Sequence, residues 1–107
     1  MQFHALEVAL LCIRQLREPL RRLQARDPRL ARQIRDAANS VTLNLGEGRR
    51  RRGADRTHHY RIAAGSADEV LVGLRAAEAW GHVDSRSVAP ALESLDRLLA
   101  MLFRLTH

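Results

Sequence analysis

The chain has 107 residues: 46% are apolar, 4% aromatic and 28% charged, with one cysteine and a formal net charge of +6. That length suits one domain with an aliphatic core, and the apolar content excludes general disorder. Every one of the 18 basic residues is an arginine. Arginine forks onto phosphate and carboxylate in a way lysine cannot, so the charge points to polyanions such as RNA, DNA or an anionic surface.

The first element in chain order is a helix over about residues 3–26. Leu6, Ala9/Leu10, Ile13, Leu16, Leu20 and Leu23 recur at alternating spacings of three and four, the seam of a packed helix. Pro19 removes one hydrogen bond and predicts a kink. Within this helix Val8–Ile13 is an unbroken apolar run, and at about 100° per residue it covers every face. It is far too short to span a bilayer. The expectation is instead that helix 1 buries an outer face against another subunit, with Val8, Leu11 and Cys12 at the interface. Cys12 itself reads as a small buried hydrophobe, since one thiol forms neither an internal disulfide nor a thiolate metal site. MQFHALE carries no basic lead and no cleavage site, so a cytoplasmic protein is expected.

Asp27-Pro28 reads as an N-cap followed by proline in the first turn. It opens a second helix over about 28–46, with Leu30, Ile34, Ala37/Ala38, Val41 and Leu45 on one stripe, ended by Gly46 and Gly48. A third helix covers about 55–80, with Asp55 as the expected cap. Its stripe is Ile62/Ala63, Ser66/Ala67, Val70, Leu74, Ala77 and Trp80, with Gly81 just past its end. Gly65 lies inside Ala63–Ala67, and glycine there costs about 1 kcal/mol against alanine. Close approach of Ala37–Ser40 on helix 2 would explain it. A fourth helix, over about 87–106, has Asp84, Ser85 or Ser87 as its cap, and Pro90 favours Ser87. No stretch shows β alternation. Residues 1–107 therefore read as one all-α domain, an up-down antiparallel four-helix bundle.

The densest chemistry lies between helices 2 and 3, in Asn44–Gly53, NLGEGRRRRG. Gly48-RRRR-Gly53 begins like a phosphate-binding loop, but Ala54 and Asp55 stand where lysine and a hydroxyl are required, and no strand precedes it. Gly46-x-Gly48 fails as a dinucleotide loop because Arg51 stands where a small residue is needed. Bundle metal sites want Glu-x-x-His on facing helices, and no such pair exists. No cofactor and no catalytic residue is expected. The pairs Arg75/His82 and Arg52/His58 have the loose spacing of helical RNases and supply an enzyme alternative. Glu47, at the unfavourable end of the helix dipole, needs a cationic partner. The remaining candidates are Arg49, Arg50, Arg51, Arg52, Arg56 and Arg61, which form one basic block that would neutralise phosphates. Tyr60, His58 and His59 are interleaved for base stacking. The same arginines would also suit a scaffold that docks an acidic protein.

QIRDAANSVTLNLGEGRRR from Gln33, followed by HYRIAAGSADEVLVGLRAAEAWGHV, resembles the small four-helix-bundle proteins encoded in intervening sequences of bacterial 23S ribosomal RNA genes. That family includes the accessory variability determinant of diversity-generating retroelements. The matching positions are Gln33, Ile34, Ala37, Ser40, Asn44, Glu47 and Gly48, then Ile62, Ala63, Gly65, Ser66, Glu69 and Gly81. The sequence departs from the pattern at Gly46, which replaces alanine, and at Trp80 and His82, which replace leucine and tyrosine. The resemblance implies a homopentameric barrel and nucleic-acid association without catalysis. It also implies a reverse transcriptase as partner in the retroelement branch.

Overall fold

The computed structural model describes residues 2–107, with side-chain surroundings from His4 onward. Four helices account for nearly all of it: α1 (Gln2–Arg26), α2 (Pro28–Gly48), α3 (Gly53–Ala79) and α4 (Ser85–Thr106). Among the described residues there is no strand. The connections are Asp27 alone, Arg49–Arg52 and Trp80–Asp84. Links this short fold each helix back beside its predecessor. The packed pairs are α1 with α2, α2 with α3, α3 with α4 and α4 with α1, a closed ring of four antiparallel rods. The bundle measures 42 × 22 × 19 Å. The α2–α3 turn therefore lies at one end of the long axis, and the other two links lie at the opposite end. No helix is long and apolar enough to cross a membrane.

The core is aliphatic, as the composition requires. Leu16, Leu23, Ile34, Leu45, Val70, Leu74, Val88, Leu95, Leu98 and Leu102 are almost wholly buried. Tyr60 is the one aromatic side chain among these most deeply buried ones. Alanines at 31, 37, 38, 63, 67, 77 and 91 are also buried, and their small size lets the helices approach closely.

Helix ends follow local chemistry. Asp27 caps α2, its Oδ1 accepting the Leu30 N–H at 3.1 Å, with Pro28 in the first turn. α4 is capped by Asp84, whose Oδ1 accepts the Ser87 N–H at 2.8 Å. Ser87 is thus the third residue of the helix rather than its cap, and Pro90 is carried inside it. α1 likewise continues through Pro19. α2 runs past Gly46 to Gly48, and neither glycine takes a positive φ. The left-handed positions are Gly53, with φ of 57°, and Gly81, with φ of 78°. Gly53 reverses the chain into α3 directly, leaving Asp55 in the first turn rather than at the cap.

Two expectations change with the fold in view. Val8 and Cys12 lie in the core of the bundle, so they cannot meet another subunit, and Leu11 is half-buried. A helix in a square bundle packs against two neighbours, and α1 uses its wide apolar arc to do so; no residue of Val8–Ile13 is exposed. The second concerns glycine. Nothing lies within 4 Å of a Cβ built on Gly65, which is exposed. The Ala63–Ala67 tract does meet α2, with Ser66 hydrogen-bonded to Ser40, but the glycine that close packing requires is Gly73, where a Cβ would come within 2.7 Å of Ile34 Cγ1.

Candidate nucleic-acid interface

The turn between α2 and α3 is built from the polar residues that precede it. Ser40 on α2 and Ser66 on α3 share a hydrogen bond of 2.8 Å between their hydroxyls. One turn further along α2, Asn44 donates from Nδ2 to the Ser40 carbonyl at 2.9 Å, and its Oδ1 meets His59 Nδ1 at 2.9 Å. This ladder ties the two helices together at half-buried depth, where an unmade hydrogen bond is costly. Gly48 closes the ladder: a Cβ there would fall onto the Tyr60 ring, so glycine alone lets that ring reach the core.

The arginines divide into two groups. Arg51 is held between two carboxylates, with Nη2 to Glu47 Oε1 at 2.6 Å and Nη1 to Asp55 Oδ2 at 2.9 Å. The hydrogen bond from Arg51, then its charge, holds the Glu47 carboxyl below the usual carboxylate range. Arg51 thus answers the dipole problem at Glu47. Arg56 donates to the Gly48 carbonyl at 3.3 Å and the Arg49 carbonyl at 3.4 Å, satisfying the open end of α2. Arg61 donates to the Thr106 carbonyl at 3.4 Å, the corresponding end of α4. By contrast Arg49, Arg50 and Arg52 are exposed, and their side chains have no hydrogen-bond or ion-pair partner among the described residues.

Of the rings interleaved with this block, His58 alone is exposed. His59 is engaged by Asn44. Tyr60 is 1% exposed, with its hydroxyl buried and unpartnered, so it offers no face to a base. The enzyme pairing through Arg75 gains no geometry: Arg75 borders a cleft with Ser85 and Leu92, while His82 borders another with Arg21 and Arg22.

The remaining pattern residues gather elsewhere. Gln33, Gly65 and Glu69 line one cleft of about 410 Å³ between α2 and α3, together with Leu30, Ile34 and Val72. Gly81 ends α3, where the His82 N–H reaches back to the Ala77 carbonyl at 3.0 Å, the wide bond of a Schellman end.

Sequence reading passed over a second basic face. Arg14 and Arg17 on α1 recur at helical spacing, as do Arg32 and Arg35 on α2, and all four are exposed without a side-chain partner among the described residues. Arg17 and Arg35 border a single groove between the two helices, together with Asn39. The signal was present as arginine periodicity, but it was diluted by the 18 arginines of the chain.

Comparison with curated proteins and with solved structures gives no match. The family model described as 23S rRNA-intervening sequence protein matches residues 4–104, and the chain belongs to that family.

Proposed function

We propose that this member of the 23S rRNA-intervening sequence protein family is a non-enzymatic, homo-oligomeric bundle that binds RNA or DNA through its arginine-rich turn. The observation that carries the reading is the division among the turn arginines. Arg51 fixes the loop through Glu47 and Asp55, and Arg49, Arg50 and Arg52 extend from that fixed loop with no internal partner among the described residues. A fixed loop spares the cost of ordering backbone on binding, and the planar guanidinium fork loses less freedom per phosphate hydrogen bond than an ammonium would. The exposed arginines along α1 and α2 extend the positive field beyond the turn. Neither a cofactor nor a metal is needed for this role.

Assembly into a homopentamer, with a reverse transcriptase or another protein as partner, belongs to the same proposal. Leu43, Ile62 and Val72 support self-association, being 70%, 38% and 55% exposed on α2 and α3. They replace Val8 and Cys12 as interface residues.

The experiment is affinity for generic RNA and DNA across a salt series, for the natural chain and for the variant with Arg49, Arg50 and Arg52 all changed to Ala. The log–log salt slope on duplex DNA should fall by roughly 0.9 for each phosphate that the variant leaves without a cation. An unchanged slope and affinity would remove the turn from the interface. A light-scattering mass equal to one chain would remove the assembly.

A further inference from the structure

At the end of the bundle opposite the arginine turn, the α3–α4 link presents the chain's single tryptophan to solvent. Trp80 is 73% exposed, the largest value among the large hydrophobic residues whose side chains are described. Its backbone is not loose. The Trp80 N–H bonds the Ala76 carbonyl at 3.0 Å, Gly81 turns the chain in the left-handed region, and Val83 is buried two residues on. The indole is therefore held outward by a fixed support. The His82 ring lies nearly parallel to it, at 15° with centroids 6.3 Å apart. His82 in turn borders a cleft of about 630 Å³ with Arg21, Arg22 and Arg26 at the end of α1.

The charges of that cleft are unequal. Glu18 engages both Arg21 and Arg22, and Asp84 stands 3.9 Å from Arg22 while capping α4. Arg26 is exposed with no side-chain partner among the described residues, and neighbouring Arg86 is exposed as well. Positive charge is thus in excess beside an open aromatic face. Planar rings next to guanidinium groups are what single-stranded nucleic acid requires: bases stack on the rings while phosphates meet the cations. A paired duplex keeps its bases inside and cannot use such a face.

We infer that Trp80, with His82 and the unpartnered cleft arginine Arg26, forms a second site that stacks an unpaired nucleobase of single-stranded RNA or DNA. This site is separate from the Arg49–Arg52 turn, and it rests on the preceding reading only for the class of ligand.

Because the chain has one tryptophan, its fluorescence reports this site directly. Three probes of equal length serve: single-stranded oligouridylate, its abasic sugar-phosphate counterpart, and a perfect RNA duplex. Binding of each is followed independently by anisotropy of an end-labelled copy. Oligouridylate should quench Trp80, whereas the abasic strand and the duplex should bind without quenching. Trp80→Ala should weaken oligouridylate about 5- to 150-fold, the range for loss of one stacked base, and leave duplex affinity unchanged. Circular dichroism of that variant should match the natural chain. Quenching should persist when Arg49, Arg50 and Arg52 are changed to Ala. Oligouridylate binding without quenching, or equal quenching by the abasic strand, would overturn the stacking site and leave the turn proposal standing. No binding of any probe would overturn both.

Discussion

The two ends of this bundle both carry arginines and use them differently. At the α2–α3 end, a run of four arginines reads as a free basic patch, yet Arg51 is locked by Glu47 and Asp55. Arg56 there serves open carbonyls and Tyr60 is buried against Gly48. At the α3–α4 end, the sequence reads as a helix stop with Trp80 on the apolar stripe and His82 in a loose RNase pairing, yet the structure holds Trp80 outward beside an arginine-lined cleft. Charge density along a sequence is therefore a poor guide to charge available for a ligand. What matters is how many carboxylates and carbonyls each folded neighbourhood supplies to consume it.

The contrast can be broken in measurable ways. Gly48→Ala should have the largest effect, because the added methyl falls onto the Tyr60 ring. Overpacking of this kind costs about 1–3 kcal/mol, read as a lower denaturant midpoint. Gly81→Ala at the other end meets open space but must adopt φ of 78°. Left-handed backbone costs a non-glycine residue about 1–2 kcal/mol, so thermal melting should fall by a smaller step. Trp80→Ala should stay within about 0.5 kcal/mol of the natural chain, as exposed substitutions do. A large loss there would mean that the indole supports the fold. The smallest effect is local. Glu47 has a depressed carboxyl, so its contribution is present above the ordinary carboxylate range and is lost as pH falls through the lower folded value. Acid should lower the amide protection factors at Arg50 and Arg51, taken relative to the intrinsic exchange rate at each pH, by loosening the Arg51 clamp. Glu47→Gln should abolish that acid dependence while leaving the one at Ser87, which the depressed Asp84 carboxyl governs.

Much of the fold was legible because helices announce themselves by spacing. The stripes on α2 and α4 put Ile34, Val41, Leu45, Leu95 and Leu102 in the core, where the structure has them. The Asp27-Pro28 start of α2 was legible too, since capping depends on neighbours in sequence. Features that depend on neighbours in space were not. Gly65 and Gly73 carry the same intrinsic cost, and only the facing helix decides which one is needed. Val8–Ile13 looked too apolar for one helix because sequence cannot show that α1 packs against both α2 and α4. Within the candidate site, the arginine block was visible, but its division into structural and exposed members required the positions of Glu47, Asp55 and the α2 carbonyls.

Cys12 has a consequence of a different kind. Its thiol is 4% exposed, and burial pushes its pKa up to about 11. In the closed bundle it is both shielded and protonated, so a thiol reagent can consume it only when α1 separates from its neighbours. With opening and closing fast relative to the reagent, the labelling rate reports the equilibrium fraction of open molecules. The chain thus carries a built-in clock for its own breathing. A bound strand or a second subunit that holds the helices together should slow that clock about tenfold for each 1.4 kcal/mol it adds.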